Sequence, residues 1–108
     1  MTVKDLIEKH GFTPLSLPDP ERTVSGCYIG DLLSWVMGRA KGDNVWLTIM
    51  SNVNTVAVAS LSDVSLVLLA ENVRPDGAVL SVAEAKGVNV ASTDLSAYEA
   101  ALALREDV

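Results

Sequence analysis

The sequence predicts an α/β domain with a small, open, mostly parallel sheet and helices on both faces. Its core is β-α-β-α-β-α from residue 44 onward, preceded by a helix and a short β-β-helix segment. Three observations carry this. Short aliphatic runs at 45–50, 65–69 and 88–91 are bounded by polar turn residues, as core strands are. The segments between them have helical spacing and capping residues, and parallel strands need such crossovers to return in the same direction. The filling is aliphatic, with 49% apolar residues but only 5% aromatic ones, which suits helices packed on a parallel sheet.

Each element has a local reason. Thr2-Val-Lys-Asp5 places a hydroxyl and an acid three apart as a capping box, so a helix runs from there to His10-Gly11, where glycine takes the left-handed cap. Residues 12–17 read as a short extended piece, ended by Pro18-Asp-Pro20. Residues 24–29 read as a strand, with Gly26 marking a bulge or a close approach. Asp31 is the expected N-cap of a helix over 32–37, which Gly38 and the Lys41-Gly-Asp43 turn end. Residues 54–61 fit both periods: Val53, Val56, Ala57, Ser60 and Leu61 fall at helical spacing, Val56, Val58 and Ser60 at strand spacing. The parallel order decides for helix. Pro75 marks the start of the next helix, which runs through residues 78–86 with Val79, Val82 and Ala83 inward and stops at Gly87. Ser92-Thr-Asp94 is the expected cap of a last helix whose inner face is Leu95, Tyr98 and Leu102.

At 108 residues the chain is expected to form one domain over 1–108, large enough to bury somewhat over ~60% of its unfolded surface without disulfides or metals. Eight basic against fourteen acidic residues give a net charge of −6, so no nucleic-acid or anionic-membrane partner is expected. The longest apolar runs are too short to span a bilayer and the first residues lack the order of a signal peptide, which points to the cytoplasm. The single Cys27 forms no internal disulfide and reads as a small buried hydrophobe.

No catalytic set is legible. His10, the only histidine, is expected at the exposed end of the first helix, remote from any serine or cysteine nucleophile. One His and one Cys do not make a metal site, and Gly26-x-x-x-Gly30 lacks the lysine and hydroxyl of a phosphate loop. The chain is therefore expected not to be an enzyme and to need no cofactor. Acid pairs such as Asp63 with Glu71, or Glu84 with Glu99, read as solvated.

Two constellations suggest binding. Ser51, Asn52 and Asn54 follow one core strand and Ser92, Thr93 and Asp94 another, so helix-start N–H groups and polar side chains at the sheet's carboxyl edge could hold an anion. Gly26, Gly30 and Asp31 are the expected third wall. Plain N-capping is the alternative reading of each cluster. The second constellation is Tyr28, Leu32, Leu33, Trp35, Val36 and Met37, a segment so apolar all round that a monomer of this size could not hide it. It reads as a homodimer surface or a pocket wall. Trp46, between Val45 and Leu47 on a strand, is expected on the opposite sheet face from them.

Glu21-Arg22-Thr-Val-Ser-Gly26, Tyr28-x-Gly30-Asp31-Leu-Leu-Ser34 and Ser92-Thr-Asp94-Leu-x-x-Tyr98 together resemble the DRTGG domain, and in particular its small stand-alone bacterial members, over essentially the whole chain. Glu21 replaces the namesake aspartate, and Val24-Ser25 interrupt the Thr-Gly-Gly order. The resemblance implies an α/β domain similar to the N-terminal domain of HPr kinase/phosphorylase, acting as an accessory or dimerising module. It also implies a protein partner in anaerobic redox metabolism. The leading expectation is a non-catalytic regulatory or interaction domain that self-associates. The alternative is a sensor of a nucleotide or other phosphate-bearing metabolite at the carboxyl edge.

Overall fold

The computed structural model describes residues 1–108. The elements are α1 (Val3–His10), β1 (Thr13–Ser16), β2 (Cys27–Ile29), α2 (Leu33–Arg39), β3 (Val45–Thr48), α3 (Val53–Leu61), β4 (Leu66–Leu69), α4 (Gly77–Lys86), β5 (Val90–Ser92) and α5 (Ala97–Leu104). This is the expected class and element order. The five strands form one sheet in the order β1-β5-β4-β3-β2, in which β2 to β5 are parallel and β1 pairs antiparallel with β5.

Because β2, β3, β4 and β5 are successive neighbours, crossovers of one hand place their three helices on one face. That face carries Val36 of α2, Val56, Val58 and Ala59 of α3 and Ala83 of α4, packed on Trp46, Val67, Leu69 and Val90. The opposite face is closed by the two outer helices: Val3, Leu6 and Ile7 of α1 and Ala100 and Leu104 of α5 cover Val45, Leu47, Leu66, Leu68 and Ala91. Trp46 and its neighbours Val45 and Leu47 thus face opposite sides, as the alternation predicts.

The helix starts follow local chemistry. Thr2 and Asp5 form the expected reciprocal box, and Gly11 caps α1 at φ 68°. Asn52 caps α3 by accepting from the N–H groups of Asn54 and Thr55. The helical reading of 54–61 holds. Gly87 ends α4 at φ 72°, while the start lies two residues after Pro75, where Asp76 accepts from Val79 N–H.

Several boundaries differ from expectation. β2 begins only at Cys27, because Gly26 at φ 75° breaks the extended run from residue 24. Asp31 does not cap α2. Leu32 holds that position without a side-chain hydrogen bond, and Gly38 lies inside the helix, whose C-cap is Ala40. Ser92, Thr93 and Asp94 do not cap α5: β5 runs through Ser92, and the cap is a second reciprocal box, Ser96 with Glu99. The inner face of α5 is consequently Ala97, Ala100, Ala101 and Leu104, with Leu95 packed beside it. Tyr98 is 73% exposed and Leu102 47%. His10 is not at an exposed end either, since its ring stacks on Phe12 and its Nε2 lies 2.7 Å from Asp107.

Candidate functional site

At the carboxyl edge of the parallel strands, the polar groups are largely engaged. Asp31 Oδ1 accepts from Thr48 Oγ1 at 2.7 Å and from Ile49 N–H at 3.1 Å, so its carboxylate ties the end of β2 to the end of β3. Gly30 O accepts from Trp46 Nε1 at 2.9 Å, and a side chain at Gly30 would meet the Tyr28 ring at 3.0 Å. Beyond β4, Glu71 and Asn72 adopt φ 58° and 57°, and their N–H groups donate to Leu95 O and Thr93 O, both at 2.8 Å. The loops after β4 and β5 are stitched together in this way. Thr93 Oγ1 accepts from Leu95 N–H, and the buried Ser92 hydroxyl has no partner.

A groove of about 520 Å³ opens between the starts of α3 and α4, lined by Ser51, Asn52, Arg74, Asp76, Val79 and Val82 among others. Beneath it a cavity of about 10 Å³ is bordered by Thr55, Val56, Val67, Leu69 and Val90. Ser51 and Asn52 are thus where the sequence places them, but their opposite wall is the loop after β4. Ser92, Thr93 and Asp94 line neither space, because β4 stands between β3 and β5 and separates their ends by about 10 Å, two strand spacings. Asn54 also lies outside both. Gly26 sits at the amino end of β2, the opposite edge of the sheet from Gly30 and Asp31. Sequence reasoning missed Arg74, an exposed cation whose only side-chain hydrogen bond is to Asn72 Oδ1 at 3.4 Å. Its position after Asn72 in a strand-to-helix loop was the available signal.

The second constellation divides. Leu32, Trp35 and Met37 are 57%, 52% and 54% exposed, Tyr28 and Leu33 are half-buried against the core, and Val36 is fully buried. The guanidinium of Arg39 covers one side of Trp35 at 3.8 Å from the ring centroid. Ile29 and Ile49, at the ends of β2 and β3, add further exposed apolar surface. β2 is also a sheet edge, with unpaired backbone groups on one side.

Elsewhere, the motif residues act structurally. Arg22 bonds Asp43 Oδ1 at 3.0 Å and Asp63 Oδ1 at 2.9 Å, joining two turns at the amino end of the sheet. Gly26 passes so close to Asn44 that an added Cβ would lie 2.8 Å from its Nδ2. Burial pushes the Cys27 thiol up to about 11, so it is a protonated, apolar filler. No three His, Cys, Asp or Glu side chains gather as metal ligands, and no helix is long and apolar enough to cross a membrane.

No family model matches the sequence, and no curated protein matches it. The structure is similar to that of the CBS and DRTGG domains of the regulatory region of Clostridium perfringens pyrophosphatase, determined in complex with the activator diadenosine tetraphosphate. The TM-score is 0.74 at 9% identity, over 95% of this chain. The chain spans 45% of the length of that regulatory region, and at this identity the likeness establishes a shared fold.

Proposed function

We propose that this chain is a non-catalytic regulatory domain of the DRTGG type that self-associates through the apolar side chains left exposed on and beside α2, Leu32, Trp35 and Met37. The observation carrying this reading is that Leu32, at the N-cap of α2, and Trp35 and Met37, within it, are each more than half exposed, beside a short sheet edge. Burying such side chains stabilises association by about 25 cal/mol per Å² before the entropic cost of docking is subtracted. A protein partner in anaerobic redox metabolism, implied by the resemblance, would dock on the same face. The absence of catalysis is supported by His10 being held by Asp107 and by Cys27 remaining a thiol.

Sedimentation velocity at about 50 μM, a working range for a moderate symmetric interface, tests the reading. The wild type is expected as a dimer and Leu32→Asp/Trp35→Ala as a folded monomer. A monomeric wild type overturns it.

A second reading, a sensor of a small phosphate-bearing ligand at the carboxyl edge, is favoured by the groove beside Ser51, Asn52 and Arg74. The activator-bound state of the similar pyrophosphatase region supports a ligand-responsive role for this fold.

A further inference from the structure

We propose that the groove between α3 and α4 binds an organic phosphate monoester, with the phosphate against Arg74 and the two helix starts and an apolar or aromatic body against Val79 and Val82. The proposal gives a place and a chemistry to the ligand-sensor reading and rests on it. Four features of the groove agree. Val53, Gly77 and Ala78 have backbone N–H groups with no acceptor in the protein, and helix-start donors favour an anion. Arg74 supplies a cation at the same place in a chain of net charge −6, and its side chain makes a single hydrogen bond, at 3.4 Å. The volume of about 520 Å³ falls in the range of small-molecule sites.

The fourth feature is Thr55. It is 3% exposed, its Oγ1 has no hydrogen-bond partner, and it borders the small cavity at the foot of the groove among Val56, Val67, Leu69 and Val90. A buried hydroxyl without a partner destabilises the fold, and a cavity of about 10 Å³, six of whose ten lining residues are apolar, offers a trapped water few polar partners to repay it. A ligand oxygen reaching past Ser51 and Asn52 supplies the missing acceptor or donor. Asp76 leaves an acid in the wall, but one oxygen is committed to Val79 N–H. That fixes the phosphate on the Arg74 side.

The test is calorimetric titration of the wild type, Arg74→Ala and Thr55→Val with AMP, adenosine and inorganic phosphate. The wild type is expected to bind AMP more tightly than either fragment. Arg74→Ala is expected to weaken AMP about tenfold or more, the scale of one charge-assisted contact, while leaving adenosine unchanged. Thr55→Val is expected to raise the melting temperature of the free protein and yet weaken AMP, a combination that a purely structural threonine would not produce. AMP binding unaltered by Arg74→Ala overturns this site while sparing a sensor elsewhere on the molecule. No saturable AMP binding up to about 5 mM overturns both the site and the sensor reading.

Discussion

Arg22 holds Asp63 at 2.9 Å by its carboxylate and donates to its backbone carbonyl at 2.6 Å, so one guanidinium fixes both the side chain and the backbone of a turn 41 residues away. The same Nη2 reaches Asp43 Oδ1 at 3.0 Å. Asp43 and Asp63 both adopt left-handed backbone, at φ 67° and 57°, and Asp43 N–H donates to Asp63 O. Two sparsely populated turns, ahead of β3 and ahead of β4, are therefore locked by one arginine.

Replacing Arg22 by Ala is expected to cost about 1–2 kcal/mol in urea denaturation, reduced from the value of a buried charged hydrogen bond because both acids are at least half exposed. Arg22→Lys is expected to recover less than half, since an ammonium lacks the fork that spans two acceptors. Equal stability of wild type and Arg22→Ala would show that the clamp is dispensable.

Gly26→Ala is expected to destabilise by about 2–3 kcal/mol, combining left-handed backbone with a 2.8 Å encounter with Asn44 Nδ2. Asn44 has no room to yield, because its amide donates to Ser25 O and its Oδ1 accepts from Lys41 N–H. Gly11→Ala is the control. It has the same backbone sign but nothing within 4 Å, so it should cost only about 1 kcal/mol. Similar losses at the two positions would remove the close-approach argument.

Hydrogen bonds from Lys9 and His10 hold the Asp107 carboxyl below its ordinary value of 3.8, and the capping boxes do the same for Asp5 and Glu99. A depressed folded value means the unfolded chain takes up protons first. The contribution is therefore complete above about pH 5 and is lost as pH falls through the lower folded values. Urea midpoints are expected to drop on acidification below about pH 5, with a shallower drop in Asp107→Asn. An identical pH profile for that variant would show that the latch between α1 and the chain after α5 contributes nothing.

With its thiol pushed up to about 11, Cys27 is expected to resist disulfide reagents at pH 8 in the native state and to react fully in denaturant. Rapid native-state labelling, followed by absorbance, would contradict its packing against the α1/α5 side of the sheet.

What the sequence revealed and concealed follows from the range of the interactions. Short-range chemistry was readable: Thr2 with Asp5, Asn52 ahead of α3, and Gly87 after α4 all act within a few residues. Ser96 with Glu99 carried the same signature, but Ser92-Thr-Asp94 drew the cap forward because nothing local shows that Thr93 N–H still donates to Leu69 O. Asp31 was misplaced for a related reason, since its partner Thr48 lies 17 residues away and a helix start was nearer. Trp46 was assigned to its face correctly because alternation alone decides it. The anion cluster was split because strand order, which is set by tertiary pairing, decides which loops are neighbours. The segment 22–37, with its two glycines, one acid and two aromatic residues, is mostly accounted for by Arg22, Gly26, Gly30 and Asp31 acting on the fold. Leu32, Trp35 and Met37 are the part that the fold does not use.

The face of the sheet covered by α1 and α5 draws its helices from opposite ends of the sequence, and this has a consequence for synthesis on the ribosome. Until Ala100 and Leu104 have left the exit tunnel, Val45, Leu47, Leu66 and Leu68 lack half of their cover, although every strand from β1 to β5 has already been made. β1 must likewise wait for β5, about 77 residues later, before it has a partner. The nascent chain is thus committed to closing late and at once, through contacts of long sequence separation that make folding slow for a domain of this size.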